Sequence, residues 1–106
     1  MKIAEVSKEY GLSVDTLRYY ERIGLLRHVP RNKSGIRDYD EASCNAVEFV
    51  KCMRDAGMSI ESLVEYMELL EQGDETTAAR KELLLRQSDE IRERIAGLER
   101  ALARLE

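Results

Sequence analysis

The sequence predicts a mainly α-helical fold, in which short helices build one small N-terminal core and a long helix follows. Apolar residues recur at helical spacing through most of the 106 residues, and glycines separate the helical stretches. The C-terminal segment instead carries leucine and isoleucine at heptad spacing, which is typical of a coiled coil. Because a chain of this length buries only one small core, we expect a compact part and an extended part.

The composition is that of a folded protein without a membrane segment. Hydrophobic residues make up 43% of the chain and charged residues 36%, which is typical of a soluble helical protein. No apolar run approaches the roughly 18 residues of a membrane span, and the first residues lack the apolar stretch of a signal peptide. We therefore expect a cytoplasmic protein with no membrane partner.

The net charge of −4 conceals two regions of opposite charge. Residues 14–37 contain six basic and two acidic side chains, whereas residues 61–75 contain six acidic and no basic ones. A local basic patch, rather than the net charge, determines whether a protein attracts a polyanion. The first region is therefore a candidate nucleic-acid-binding surface.

Two short helices separated by a tight turn open the chain. Ile3, Val6 and Tyr10 have helical spacing, and Gly11 is a natural helix end. Ser13 is suited to cap a second helix that begins at the next residue. A turn of about three residues that contains glycine, between two helices, is the signature of a helix-turn-helix.

The second helix has a polar and an apolar face. The positions i, i+3, i+4 and i+7 form the polar face, with Asp15, Arg18, Tyr19 and Arg22. The opposite face contains Val14, Leu17 and Tyr20. We therefore expect Tyr19 to point outward and Tyr20 to lie at the edge of the core, with its hydroxyl able to reach outward.

A basic hairpin is predicted after this helix, which should end at Gly24. Residues 25–39 suggest two short β segments around the polar turn Asn32-Lys33-Ser34-Gly35. A basic hairpin directly after a helix-turn-helix is a wing. The sequence therefore predicts a winged helix-turn-helix DNA-binding domain.

A helix pair and a long terminal helix complete the prediction. Asp40 can cap a third helix that extends to about residue 56, and Ser59 can cap a fourth that ends near residue 72. The last segment carries a heptad seam of Leu84, Ile91, Ile95, Leu98, Leu102 and Leu105. Because this seam has no core of its own to enter, we expect it to pack on a second copy of the chain. The sequence therefore predicts two parts: a DNA-binding domain with helices 3 and 4 (1–72) and a coiled-coil dimerisation helix (76–106).

The chain resembles the MerR family of bacterial transcription regulators across essentially its whole length. Three stretches carry the resemblance: TLRYYERIGLL at residues 16–26, GIRDY at 35–39 and MRDAGMS at 53–59. The resemblance implies a homodimer that binds double-stranded promoter DNA, bends and undertwists an overlong spacer, and presents the promoter elements to RNA polymerase. This is regulation through DNA shape, and it implies no cofactor.

The expected DNA contacts lie in the second helix and the wing. Guanidinium groups donate hydrogen bonds to phosphates and guanine edges, and tyrosine hydroxyls donate to phosphates, which suits Arg18, Tyr19 and Arg22. By the resemblance, Tyr20, Arg37 and Tyr39 also contact the DNA backbone or minor groove, and Lys33 lies at the wing turn. A solvated helix face is the alternative for the exposed arginines.

The two cysteines, Cys44 and Cys52, are expected to be free thiols. On one helix they would lie about 12 Å apart along the axis, too far for a disulfide. The stretch around Cys52, residues 49–55, resembles the thiol-bearing AdhR/NmlR branch of the family, which implies a sensor of aldehyde, electrophile or nitrosative stress. Lys51 and Arg54 could stabilise its thiolate. Alternatively Cys52 is a core residue, as we expect for Cys44, and the protein senses a small ligand or has no effector.

Other functional classes fit the sequence less well. Residues 76–106 contain neither Cys nor His, which disfavours a metal sensor, and His28, the only histidine, lies in the wing. No catalytic set or glycine-rich phosphate loop indicates an enzyme. A coiled-coil interaction module would explain the heptads but not the basic face.

Overall fold

The computed structural model describes residues 1–106 and confirms a mainly helical fold with a long C-terminal helix. The helices are α1 (Ile3–Tyr10), α2 (Val14–Arg22), α3 (Glu41–Asp55), α4 (Ile60–Gln72) and α5 (Thr77–Leu105). A short 3₁₀ turn, Asp74–Thr76, joins α4 to α5. The sequence did not indicate this turn, in which the Thr76 hydroxyl donates to the Leu69 carbonyl oxygen over 2.6 Å.

Three helices begin at the predicted polar caps. The Ser13 hydroxyl accepts a hydrogen bond from the Thr16 amide, the Asp40 carboxylate accepts from the Ser43 amide, and the Ser59 hydroxyl accepts from the Ser62 amide. Each cap satisfies an amide that has no partner in the first helical turn. The helix starts were therefore predictable from local sequence.

One core joins all five helices. Its fully buried members include Val6 of α1, Leu17 of α2, Val50 of α3 and Leu63 of α4. From α5 only Leu83 is buried, and it is 2% exposed. Its neighbour Leu84, the first residue of the predicted dimerisation seam, is 38% exposed and is not part of this core.

The turn between α3 and α4 is a Schellman motif. The Met58 amide donates to the Met53 carbonyl oxygen and the Gly57 amide donates to the Arg54 carbonyl oxygen, each over 2.9 Å. Gly57 has φ +93°, a conformation that favours glycine because it has no Cβ. This motif fixes the angle at which α4 leaves α3, and it buries Met58 completely.

The far part of α5 extends beyond the core. Ile95, Leu98, Leu102 and Leu105 of the predicted seam are all exposed, with Leu105 at 86%. The molecule is accordingly elongated, with extents of 56 × 37 × 20 Å. No helix combines the length and the apolar character that crossing a lipid bilayer requires.

The wing differs from the predicted hairpin. Instead of two short β segments, its backbone contains a single antiparallel bridge between Arg31 and Arg37. The arms of the hairpin are too short and too strongly charged to form a longer ladder of their own. At its base, a backbone bond from the Tyr39 amide to the Met1 carbonyl oxygen over 2.7 Å ties the wing to the start of the chain.

Candidate nucleic-acid interface

The polar face of α2 is open to solvent. The Arg18 side chain is 54% exposed, and Tyr19 and Arg22 are also exposed. The Arg22 guanidinium lies 5.4 Å from the centre of the Tyr19 ring, within the range of a cation–π contact. This contact holds two potential DNA-binding groups side by side on one surface.

The wing is attached to α2 by a shared carboxylate. Glu21 of α2 forms ion pairs with Arg37 and, over 3.6 Å, with Arg31. Glu21 and Arg37 are about a quarter exposed, whereas the Arg31 side chain is 49% exposed. No sequence pattern indicates this role of Glu21, because its partners follow ten and sixteen residues later and no local signal connects them.

The turn of the wing is ordered by one side chain. The Asn32 side-chain oxygen accepts hydrogen bonds from the Ser34 amide (2.9 Å) and the Ile36 amide (3.1 Å). The Arg31 guanidinium donates to the Gly35 carbonyl oxygen over 3.0 Å. Lys33 and Ile36 are left exposed at the tip, where a cation and an apolar group can both reach a partner.

Two further contacts link the segment after α2 to α4. Arg27 lies 3.9 Å from the Glu68 carboxylate, and the His28 ring nitrogen Nε2 lies 2.6 Å from Glu71. His28 has φ +60°, a conformation that side chains other than glycine adopt at a cost. The acidic face of α4 therefore contacts the first arm of the wing, and His28, although it pairs with Glu71, is 76% exposed at the surface.

The structure does not bring Tyr20 and Tyr39 to the surface. Tyr20 is 7% and Tyr39 2% exposed, and the Tyr39 hydroxyl has no hydrogen-bond partner. Burial, with the nearby Glu21 carboxylate, raises the pKa of Tyr39. As folded, both rings support the core beneath the candidate interface, whereas Arg18, Tyr19, Arg22 and Lys33 form its exposed part.

The two cysteines differ in exposure. Cys44 is half-buried and Cys52 is exposed near the end of α3. Lys51 and Arg54, the basic neighbours expected to stabilise a Cys52 thiolate, both have other partners. Lys51 pairs with Asp55 over 3.2 Å, and the Arg54 guanidinium donates to the Met58 carbonyl oxygen over 2.8 Å.

Two features bear on other ligands. No three His, Cys, Asp or Glu side chains converge as metal ligands. A groove of about 290 Å³ lies between α3 and α4, and its walls include Phe49 and Tyr66, whose ring centres are 5.6 Å apart. This groove is an apolar depression on the helix that carries Cys52, with a volume close to the lower limit of small-molecule sites.

Family models match both halves of the chain. The model described as MerR HTH family regulatory protein matches residues 1–70. The model described as MerR, DNA binding matches residues 45–106. Together they cover the α2 face, the wing and the whole of α5.

Among curated proteins, the chain is similar to the HTH-type transcriptional regulator AdhR of Bacillus subtilis. The two are 57% identical over 84 residues, which is 79% of this chain and 60% of AdhR. A cyanobacterial regulator of Synechocystis is 36% identical over 68% of this chain and 53% of its own length. The chain therefore matches less than two thirds of either relative.

Solved structures resemble the fold closely. A MerR family regulator from Listeria monocytogenes superposes with a TM-score of 0.94 at 44% identity, covering 99% of this chain and 80% of the other. HiNmlR, described as a MerR family regulator that lacks the sensor domain and solved bound to promoter DNA, superposes with a TM-score of 0.92 at 30% identity, covering 98% and 82%.

Proposed function

The chain belongs to the MerR family of transcriptional regulators, and from that premise we propose that it binds promoter DNA as a homodimer and controls transcription by changing DNA shape. The observation that carries the proposal is the exposed α2 face beside an ordered basic wing. Arg18, Tyr19 and Arg22 point to solvent on α2, and Lys33 does so at the wing tip. Such donors bind phosphates and fix a protein on the duplex.

The exposed seam of α5 supports the homodimer. Four large apolar residues on one stripe, Ile95, Leu98, Leu102 and Leu105, are exposed to solvent in the single chain. An apolar stripe at heptad spacing is stabilised when a second helix covers it. A two-fold dimer would present two α2 faces and two wings to one promoter.

In the proposed mechanism, the dimer bends and undertwists the DNA between two promoter elements. The deformation brings the elements into a register that RNA polymerase can use, and its cost depends on the sequence-dependent stiffness of the spacer rather than on direct contacts to its bases. The wings would contact the flanking backbone, since the Glu21 ion pairs hold them at a fixed angle to α2.

The DNA-binding part is tested by measuring affinity for a selected promoter fragment over a range of salt concentrations. Arg18→Ala should weaken binding and reduce the slope of log K against log salt by roughly one, because one phosphate contact is lost. Arg86→Ala is the matched control, since Arg86 is exposed on α5 and forms no ion pair. Equal slopes for the two variants would rule out the α2 face as the DNA-binding surface.

We further propose that Cys52 makes the response sensitive to aldehydes and related electrophiles. The support is its exposed thiol on α3 together with the 57% identity to AdhR. With formaldehyde, the sulfur would add to the carbonyl carbon. The C–S bond forms, the C=O π bond breaks, and the thiol proton passes to oxygen, giving an S-hydroxymethyl group without any oxidant.

In vitro transcription from the selected promoter, with and without formaldehyde, tests this role. The wild type and Cys44→Ser should be induced, whereas Cys52→Ser should not. Cys44→Ser is the matched control, because it removes a thiol from the same helix that is half-buried. If formaldehyde still induced Cys52→Ser fully, Cys52 would not be the sensor and would have only a structural role.

A small apolar effector is the second candidate, and one observation favours it. Lys51 and Arg54, the cations nearest Cys52 in sequence, are bonded elsewhere, while the groove lined by Phe49 and Tyr66 is open. Induction by an apolar compound that Cys52→Ser retains and Tyr66→Ala loses would support this candidate.

A further inference from the structure

We propose that Arg94 couples the C-terminal turn of α3, which follows Cys52, to the long helix α5, and thereby transmits the state of the thiol to the dimer. This inference rests on the proposed thiol response. It concerns a residue that positions two helices rather than one that contacts DNA or the electrophile.

A single polar contact joins α5 to the first four helices. The Arg94 Nη1 atom donates a hydrogen bond to the Ala56 carbonyl oxygen over 2.9 Å. The contact is partly buried, and the two residues are 38 positions apart in the sequence. The other side-chain hydrogen bonds of α5, from Thr77 and Arg80, end within residues 73–77, at the helix's own start. The angle between α5 and α3 therefore depends on Arg94 and on apolar packing.

Arg94 binds the carbonyl that the end of α3 leaves free. Ala56 is the C-cap residue of this helix, and the Schellman motif uses the carbonyl oxygens of Met53 and Arg54 instead. The last carbonyls of a helix carry partial negative charge and attract cations. The guanidinium of Arg94 thus supplies both a donor and a positive charge at the end of α3.

Gly57 makes room for this contact. A Cβ atom at position 57 would lie 1.9 Å from Arg94 Nη1, which is far inside van der Waals contact. The glycine therefore has two reasons to be present: its φ of +93° and the seat it leaves for the guanidinium. A glycine that served only to end a helix would not need to leave space for a side chain.

The same turn connects directly to Cys52. The Ala56 amide donates to the Cys52 carbonyl oxygen over 3.1 Å, and residues four apart lie on one face of a helix. Ala56 thus lies between Cys52 and Arg94, with its amide bonded to the Cys52 carbonyl oxygen and its own carbonyl oxygen bonded to Arg94. When an adduct on Cys52 displaces the last turn of α3, the Ala56 carbonyl moves and Arg94 carries the movement into α5.

The test compares transcription with and without formaldehyde for the full-length wild type, Arg94→Ala, Arg94→Lys and Arg92→Ala. Arg92→Ala is the matched control, since Arg92 is an exposed α5 arginine with no hydrogen bond or ion pair. Promoter affinity and the rate at which iodoacetamide labels Cys52 are measured for each protein. These two values show whether each variant is folded and whether its thiol is still reactive.

We expect Arg94→Ala to keep wild-type affinity and labelling while its induction ratio falls by about fivefold or more, the range of ordinary allosteric coupling. Arg94→Lys, which can still donate to the carbonyl, should recover part of the ratio, and Arg92→Ala should match the wild type. Full induction of Arg94→Ala would overturn the coupling role and leave the proposed function intact. A wild type that formaldehyde does not induce would overturn both.

Discussion

The Glu21 carboxylate of α2 pairs with the Arg37 guanidinium of the wing, so one acidic side chain orients a basic surface. Arg31, 3.6 Å from the same carboxylate, extends the contact to the other arm of the wing. The wing has only one backbone bridge. Its position relative to α2 depends on these ion pairs, on the bond from the Tyr39 amide to Met1 and on the burial of Tyr39 in the core.

Glu21→Gln should loosen the wing. The substitution removes the charge that holds Arg31 and Arg37, and because both pairs are partly shielded we expect the free energy of unfolding to fall by about 1 kcal/mol. Asp15→Asn removes an equal charge from the same helix, but Asp15 is almost fully exposed, and this variant should change stability by only a few tenths of a kcal/mol. Urea unfolding measures both. Equal effects would show that the wing contact adds no stability.

Tyr39→Phe should stabilise the protein. The substitution removes a buried hydroxyl without a hydrogen-bond partner and keeps the ring, which should raise the free energy of unfolding by about 1 kcal/mol. Tyr66→Phe is the control, because Tyr66 is only half-buried and its change should be near zero. A loss of stability in Tyr39→Phe would reveal a partner such as a buried water, and weaker promoter binding would restore Tyr39 to the DNA contacts.

Gly57→Ala should be more harmful in the wild type than in Arg94→Ala. In the wild type the new methyl group meets the guanidinium and the backbone is strained, whereas only the strain remains once Arg94 is truncated. We expect a coupling energy of about 1 kcal/mol or more in this double-mutant cycle. Gly35→Ala is the control, since Gly35 has φ +78° and open space around it, and its cost should not depend on Arg94. Additive effects at Gly57 would mean that the guanidinium, at the end of a flexible side chain, moves away from the methyl group at little cost.

Asp40→Asn should reduce the sensitivity of the protein to acid. The Ser43 amide and hydroxyl lower the pKa of Asp40, so the ionised cap stabilises the folded state above about pH 4. That contribution is lost as the pH falls through the lower folded-state pKa. Asn keeps the cap without titrating, so the melting temperature of the variant should fall less steeply from pH 5 to about pH 2. Parallel curves would place the acid sensitivity elsewhere.

The helix boundaries could be predicted because their signals are local. Ser13, Asp40 and Ser59 bond to amides three residues later, within the window over which a sequence pattern is visible. The exposed face of α2 followed from helical spacing for the same reason. The reduction of the wing to a single bridge could not be predicted, because strand propensity does not show whether a short charged arm pairs with a neighbouring strand.

The contacts between distant residues could not be predicted. Glu21 and Arg94 lie up to 38 residues from their partners in the sequence. The residues next to a charged side chain on an exposed helix do not indicate which distant residue it will contact. Gly57 was recognised as a helix end, but its second role depends on where α5 lies. Leu83 and Leu84 both fit a helical apolar pattern, and only the packing of α5 on α4 decides which one faces the core.

The exposed stripe of α5 has a consequence for the lifetime of the protein. Beyond Arg94, Ile95, Leu98, Leu102 and Leu105 are exposed in a single chain, so little burial opposes fraying of the helix. A frayed apolar segment is a good substrate for proteases. If the seam is covered by a second copy, newly made chains survive only after they meet one another. Degradation would then fall as synthesis rises, and the cellular level of the regulator would depend more steeply than linearly on its own expression.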